Sequence, residues 1–262
     1  MGLATKTPDQ ERAMRRAGLV VAEALSEVKA AAVAGTTPRD LDALAAAVIA
    51  DAGATPSFLG YHGYPATLCT SVNEVVVHGI PDDRPLRDGD VISVDCGAVV
   101  EGWHGDAAVS IGVGPLAEDV AAMVQACERA LAAGIATMRP GSRLADIGAA
   151  VQASVEASGR YGILTDFTGH GIGRAMHEPP FVPNYRTRRR GPRLDAGVVL
   201  AVEPMITLGL PEVSTDPDGW TVRTDDGSWA AHVEHTIAVT PAGPWVLTAL
   251  DSPEPGAGAE PS

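Results

Sequence analysis

Residues 95–106 read DCGAVVEGWHGD, an apolar and glycine-rich stretch with an aspartate at each end. In a helix the two carboxylates would lie roughly 16 Å apart along the axis, too far to share a ligand. In a hairpin that turns at Glu101-Gly102, Asp95 pairs with residue 108 and Asp106 points to the same face. The carboxylates then lie roughly 7 Å apart or less, and they repel each other unless a cation lies between them. The stretch therefore predicts either an edge hairpin with two solvated acids or one side of a metal site.

Three more side chains favour the metal site. TGHGIG places His170 between glycines, and the apolar runs AVEPM and HVEHTIAV contain Glu203 and Glu234. A carboxylate in a buried strand is costly unless it has a partner. With the two aspartates, the set holds four carboxylates and one imidazole. It is too rich in oxygen for a structural zinc site, and it suits a site with two metal ions about 3.5–4 Å apart.

The surrounding sequence predicts the fold class. Helical patterns cover residues 8–34, 35–54, 116–138 and 141–159, whereas β-branched, strand-like runs cover 91–100, 107–113, 197–206 and 233–240. Thr37 and Pro38 are suited to starting the second helix, and a Gly-Ser pair is expected to cap the fourth. The order of helices, strands, helices and strands predicts an α+β fold, with the helices packed on one side of a curved antiparallel sheet.

An internal repeat is weakly visible. A shift of 106 residues superimposes Gly35 on Gly141, Asp40 on Asp146 and Gly53 on Gly159. The matches are few and lie in alanine-rich segments, so they indicate either a duplicated helix pair or a chance likeness of amphipathic helices.

Composition excludes several classes of function. Lys and Arg number 19 against 33 Asp and Glu, a net charge of −14. DNA and anionic membranes need a basic footprint, so neither is an expected partner, whereas metal ions and amino-terminal ammonium groups are attracted. The acidity also has a simpler explanation, solubility. The three cysteines include no Cys-x-x-Cys pair, which fits a reduced, cytoplasmic protein. No signal-peptide core or membrane-length apolar run is visible.

The motifs together resemble those of a type I methionine aminopeptidase from about residue 8 to residue 250. The resemblance rests on GYHGYPATLCTSVNEVVVHGIP, DCGAVVEGWHGD, GHGIGRAMHEPP, VEPM and VEHT, in the family's order and spacing. It implies the pita-bread (creatinase/aminopeptidase) fold, in which two pseudo-symmetric α/β halves surround a curved antiparallel sheet. One catalytic domain, residues 1–250, is then followed by a tail, residues 251–262, whose Pro, Gly, Glu and Ser content predicts disorder.

The resemblance also implies roles for individual residues. Asp95 resembles the bidentate ligand of one metal, Asp106 and Glu234 resemble the bridging carboxylates, and His170 and Glu203 resemble the other metal's ligands. The cofactors are then two divalent ions, drawn from cobalt, manganese, iron(II) and zinc. Glu203 would move the proton of the attacking water, His177 would stabilise the oxyanion, and His78 would contact the peptide backbone.

A methionine pocket is expected as well. The candidate lining residues, each of which also fits an ordinary core, are Phe58, Tyr61, Tyr64, Cys69, Met176 and Trp220. Phe58 stands where the family often has cysteine, and Met176 where phenylalanine is frequent. His62 is expected near this pocket as a further candidate substrate-binding residue that would assist catalysis. Strand parity gives His104 and His232 two interpretations, a place beside the metals or a plain strand position, whereas His235 faces away from Glu234.

The expected activity is removal of the initiator methionine from nascent proteins and peptides, with a small second residue preferred. Two alternatives remain, an Xaa-Pro-type aminopeptidase of the same fold, which usually carries an extra N-terminal domain, and an inactive pita-bread protein that binds peptides. Nascent N-termini are the expected partners of a monomer. The basic loop YRTRRRGPR, residues 185–193, is either a solvated turn or a transient ribosome contact.

Overall fold

The protein is described from a computed structural model that covers residues 3–255. The α-helices of this part are α1 (Pro8–Ala31), α2 (Pro38–Asp51), α3 (Glu118–Ala136) and α4 (Leu144–Ser158), and a 3₁₀ turn spans Tyr61–Gly63. The strands of the first half are β1 (Thr55–Pro56), β2 (Leu68–Val72), β3 (Val75–Val77), β4 (Val91–Val100) and β5 (Trp103–Gly112). The strands that follow α4 are β6 (Gly162–Ile163), β7 (Gly169–Gly171), β8 (Glu178–Val182), β9 (Val199–Val202), β10 (Met205–Thr207), β11 (Val213–Thr215), β12 (Val222–Thr224), β13 (Ala230–His232), β14 (His235–Thr240) and β15 (Gly243–Val246).

The start of α2 agrees with the prediction from the sequence, whereas the start of α4 differs from it. At α2 the Thr37 hydroxyl accepts a hydrogen bond from Asp40 N at 3.1 Å, and the Asp40 carboxylate accepts one from Thr37 N at 3.0 Å. The predicted Gly-Ser cap of α4 was wrong, because Ser142 N bonds back to Arg139 and belongs to the preceding turn. The helix starts at Leu144 instead, and the carboxylate of Asp146 accepts from the Arg143 amide at 2.7 Å.

The predicted hairpin is confirmed. β4 and β5 pair in register from Val91–Gly112 to Val100–Trp103, which places Asp95 opposite Ala108. Glu101 and Gly102 both have positive φ, 51° and 75°. This turn geometry matches the right-handed twist of two antiparallel strands. Both aspartates of the opening stretch therefore face the same side of the hairpin.

The strands of the described part form four antiparallel sheets, where the sequence predicted one curved sheet. The first half forms the sheet β1-β4-β2 with β5 added on β4, and the second half forms the sheet β15-β14-β9-β7-β8. Two three-stranded sheets, β13-β10-β6 and β11-β12-β3, lie beside them.

A narrow seam joins the two main sheets. Ala108 and Glu234 form an isolated antiparallel bridge, with Glu234 N donating to Ala108 O at 2.9 Å. Next to it, the Thr236 hydroxyl accepts from Asp106 N at 3.0 Å and donates to Asp106 O at 2.8 Å. The seam therefore runs through residues that the sequence marked as candidate ligands.

Each half has its own helix pair and its own core. Val21 of α1 and Leu41 of α2 are buried with Ile92 of the first sheet, whereas α3 and α4 enclose a second core with β9 and β14. Moving α2 by the 106 residues of the sequence repeat gives 144–157, against Leu144–Ser158 for α4. This agreement favours a duplicated helix pair over chance likeness.

Two further expectations concern the ends of the chain and membranes. Among the described residues, no helix has the length and apolar character needed to cross a membrane. Of the predicted tail, residues 251–255 form no helix or strand, and residues 256–262 lie outside the described part. The division into a catalytic domain and a disordered tail stays a prediction.

Candidate metal centre and pocket

The five candidate ligands lie on different strands and converge at the seam. Asp95 is on β4 and Asp106 on β5, whereas His170 is on β7. Glu203 directly follows β9, and Glu234 directly precedes β14. All five line a single cavity. Antiparallel pairing brings these residues together. His170 lies opposite Ala201 of β9. Ala108 pairs with Asp95 and also forms the bridge to Glu234.

His170 is oriented by its own backbone. Its Nδ1 lies 2.9 Å from the carbonyl of Gly171, which can only accept, so the ring proton is on Nδ1 and Nε2 has a free lone pair. Nε2 lies 3.6 Å from Glu203 Oε1 and 3.9 Å from Asp106 Oδ2. These separations are too long for hydrogen bonds, and they leave room for an ion between the atoms.

The buried carboxylates have no positive side chain among them. Within residues 3–255, Asp95 Oδ1, Asp106 Oδ1 and Glu234 Oε1 are buried without a hydrogen-bond partner. Burial raises the pKa of Asp95 to about 7. Burial, followed by the charges of Glu234 and Asp95, raises the pKa of Asp106 well above its usual range. Burial also raises the pKa of Glu203 and of Glu234.

Divalent cations fit this site. An unpaired buried charge is strongly destabilising, and a bound cation supplies the missing counter-charge. Ligand atoms of Asp106, His170 and Glu234 all lie within 4.8 Å of one another, and so do those of Glu203, His232 and Glu234. Glu234 belongs to both groups, which suits a carboxylate shared by two ions.

His232 was not among the predicted ligands, although the structure places it here. It lies on β13, opposite Met205 on β10, and is 2 % exposed. Its Nε2 lies 3.7 Å from Glu203 Oε2 and 3.9 Å from Glu234 Oε2. The only signal in the sequence was that His232 shares strand parity with Glu234.

An apolar pocket adjoins the carboxylates. The cavity has a volume of about 140 Å³ and is lined by Phe58, Tyr61, Tyr64, Cys69, His78, Asp95, Asp106, His170, Met176, His177, Glu203, Trp220 and Glu234. The predicted pocket residues therefore lie together, and they form one apolar cluster with Ala66 and Ile80, which the sequence did not indicate. Cys69 pairs with Asp95 across β2 and β4, so the pocket and the carboxylates share one pair of strands.

Gly97 makes the pocket wall possible. A Cβ at this position would lie 2.7 Å from Ser57 Cβ and 2.9 Å from Phe58 Cε1, closer than real contacts allow. Because Gly97 has no side chain, the ring of Phe58 can lie directly against β4.

Two histidines stand above the carboxylates. The ring of His177 lies 4.3 Å from that of His170 between centroids, and its Nδ1 lies 2.8 Å from the hydroxyl of Tyr61. Partial burial, followed by the charge of His62, lowers the pKa of His177. His78 has a φ of 59°, and burial lowers its pKa to about 4, so its ring is neutral at pH 7.

The remaining candidates lie farther out. His62 is exposed, packs edge-on against Tyr61 at 4.4 Å between centroids, and does not line the cavity. Nδ1 of His104 forms a hydrogen bond with the hydroxyl of Ser57 at 3.0 Å, and Nδ1 of His235 forms one with the hydroxyl of Thr248 at 2.9 Å. In the basic loop, Arg186 forms an ion pair with Glu156 at 3.0 Å.

Carboxylates and an imidazole that converge from antiparallel strands are typical of the active site of a metal-dependent hydrolase. Comparison with known proteins supports this class. A model of metallopeptidase family M24 matches residues 12–241. The chain belongs to this family. It is 53 % identical over 242 residues to methionine aminopeptidase 1 of Mycobacterium tuberculosis, covering 90 % of this chain and 91 % of that protein. It is 43 % identical to methionine aminopeptidase 1 of Bacillus subtilis, covering 93 % and 98 %.

Solved structures share the fold. The crystal structure of methionine aminopeptidase from Thermotoga maritima matches with a TM-score of 0.92 at 42 % identity, covering 94 % of this chain and 99 % of that one. A prolidase from Pyrococcus furiosus matches with a TM-score of 0.75 at 20 % identity, and only 66 % of its chain is covered. The pita-bread fold predicted from the motifs is confirmed, and the prolidase likeness concerns the fold alone.

Proposed function

We propose that this protein is a methionyl aminopeptidase that uses two divalent metal ions to remove the N-terminal methionine of proteins and peptides. One observation carries the proposal. Five potential ligands from separate strands meet at the floor of a cavity, with buried oxygens that have no partner, and an apolar cluster forms the cavity wall.

The residues that would hold the metal ions are Asp95, Asp106, His170, Glu203 and Glu234, and Asp106 and Glu234 would be shared between the ions. When bound, the cations supply Lewis-acid activation of water and stabilise the negative charge of the transition state. The oxygen-rich ligand set accepts manganese, iron(II), cobalt or zinc.

Glu203 moves the proton. It lines the cavity, and Asn184 holds its backbone through a hydrogen bond from Nδ2 to the Glu203 carbonyl at 2.9 Å. Its carboxylate can take a proton from the attacking water and return it to the leaving amine.

His177 and His78 hold the substrate. If the Tyr61 hydroxyl donates to Nδ1 of His177, the ring proton is on Nε2, which then donates to the carbonyl oxygen of the scissile bond. His78 stays neutral at pH 7 and donates to, or accepts from, the peptide backbone beyond that bond.

The pocket sets specificity. The apolar side chains around Met176 and Phe58 accept an unbranched apolar side chain, and the carboxylates attract the free ammonium group beside it. The second residue lies between the carboxylates and His177, so a bulky side chain crowds there. The substrates are therefore new polypeptides with a small second residue, which a monomeric enzyme would meet in the cytoplasm. The loop 185–193 is either a solvated turn or a transient ribosome contact.

Peptide cleavage after metal removal tests the proposal. The chelated protein is assayed with Met-Ala-Ser, Leu-Ala-Ser and Gly-Pro-Ala, with and without added Mn²⁺ or Co²⁺. We expect metal-dependent cleavage of Met-Ala-Ser alone. Cleavage of Gly-Pro-Ala would show that the enzyme is specific for proline in the second position instead. The absence of any turnover with two metals bound would refute the enzymatic function.

A further inference from the structure

His232 is, with His170, a buried imidazole beside the carboxylates. Its backbone amide donates to the hydroxyls of Ser110, at 3.0 Å, and Ser93, at 3.2 Å. Its backbone carbonyl accepts from the Ser110 hydroxyl at 2.9 Å. The two serines therefore fix the backbone of His232, and its ring points towards Glu203 and Glu234.

The two imidazoles stand in the same relation to Glu203. His170 Nε2 lies 3.6 Å from Glu203 Oε1, and His232 Nε2 lies 3.7 Å from Glu203 Oε2. Each Nε2 also lies 3.9 Å from a second carboxylate, that of Asp106 for His170 and that of Glu234 for His232. Two bonds of about 2.0–2.2 Å to one cation hold their donor atoms roughly 3–4 Å apart, so both sets of separations suit shared ligation.

An ordinary packed histidine would be arranged differently. Buried ring nitrogens normally have a hydrogen-bond partner, as His235 does with Thr248. Within residues 3–255, His232 Nε2 is buried with no such partner. Carboxylate oxygens of Glu203 and Glu234 lie at 3.7 and 3.9 Å, beyond hydrogen-bond distance. The nitrogen and these oxygens are therefore placed as ligand atoms around a common centre.

We propose that His232 supplies Nε2 as a sixth protein ligand, to the cation that lies between Glu203 and Glu234. The proposal rests on the two-metal function stated above and extends its ligand set. With His170, a second imidazole makes the ligand set around Glu203 richer in nitrogen. Imidazole favours iron(II), cobalt and zinc over manganese, so His232 biases the site towards those metals.

Metal binding to the chelated full-length protein tests this ligand without any substrate. Co²⁺ and Mn²⁺ are titrated separately into the wild type, His232→Gln and the control His235→Gln, which loses a partly buried imidazole bonded to Thr248. We expect His232→Gln to weaken Co²⁺ binding by at least about tenfold and Mn²⁺ binding by less, with His235→Gln close to the wild type. Equal affinity of His232→Gln and the wild type for Co²⁺ would overturn the proposal.

The proton NMR spectrum of the Co²⁺-loaded protein, recorded for the wild type and for His232→Gln, provides a second measurement. Each imidazole bound to Co²⁺ through Nε2 gives one strongly shifted, exchangeable Nδ1–H signal. We expect two such signals, from His170 and His232, with one lost in His232→Gln. A single signal in the wild type would overturn the ligand assignment while leaving the two-metal function intact. Absence of any Co²⁺ binding would refute that function as well.

Discussion

Replacing Asp95 by asparagine should stabilise the metal-free protein, although it removes a metal ligand. Burial raises the pKa of Asp95 from 3.8 to about 7, so ionisation is about three pKa units less favourable in the folded protein than in the unfolded chain. At about 1.4 kcal/mol per unit, the charged form costs the folded state up to about 4 kcal/mol. Asparagine has the same shape and carries no charge.

The pH dependence follows from the same shift. Well below pH 3.8 the carboxyl is protonated in both the folded and the unfolded state, so Asp95→Asn does not change the free energy of unfolding through this charge. Between pH 3.8 and about 7 only the unfolded chain loses the proton, so the wild type is progressively destabilised relative to the variant. The full gain of about 4 kcal/mol is reached by pH 8, a rise in Tm of about 8–16 °C for a chain of this size.

Urea unfolding in the presence of a chelator, at pH 4, 6 and 8, measures this gain. Asp51→Asn is a matched control, since Asp51 is exposed at the end of α2. The control should stay within about 0.5 kcal/mol of the wild type at each pH. The reasoning is refuted if Asp95→Asn is less stable than the metal-free wild type at pH 8, or if its gain is the same at pH 4.

Other substitutions separate the parts of the site. Asp106→Ala should abolish both activity and bound metal, measured by elemental analysis; a full complement of metal would contradict its place between the ions. His177→Ala should lower kcat by about 10²–10³-fold with metal content unchanged, and loss of metal would assign it a different role. Met176→Ala should lower kcat/KM for methionine peptides by about 10-fold or more, because it removes pocket wall, and an unchanged value would place methionine elsewhere. Gly97→Val should close the pocket against Phe58, raising KM while metal binding persists, and loss of metal would contradict a purely steric effect.

The central hairpin could be predicted because its information is local. The alternating pattern, the Glu101-Gly102 turn and the position of Asp95 fix the register without reference to the rest of the chain. The four other candidate ligands could be named from their motifs. That they would meet followed from the family resemblance.

Features that depend on distant contacts were not predicted. His232 faces Glu203 only because β13 pairs with β10, which follows Glu203 after one intervening residue. Ser142 looked like a helix cap, but the cap position falls on Arg143, which pairs with the distant Arg193.

The seam between the halves gives metal loading a meaning beyond catalysis. Asp95 and Asp106 come from the first half, whereas the ligands from His170 onward come from the second, and one backbone bridge at Ala108–Glu234 aligns them. Neither half alone carries a complete coordination sphere. If these residues hold the ions as proposed, metal binding would require both halves to be docked in the correct register, and metal uptake would then report assembly of the protein.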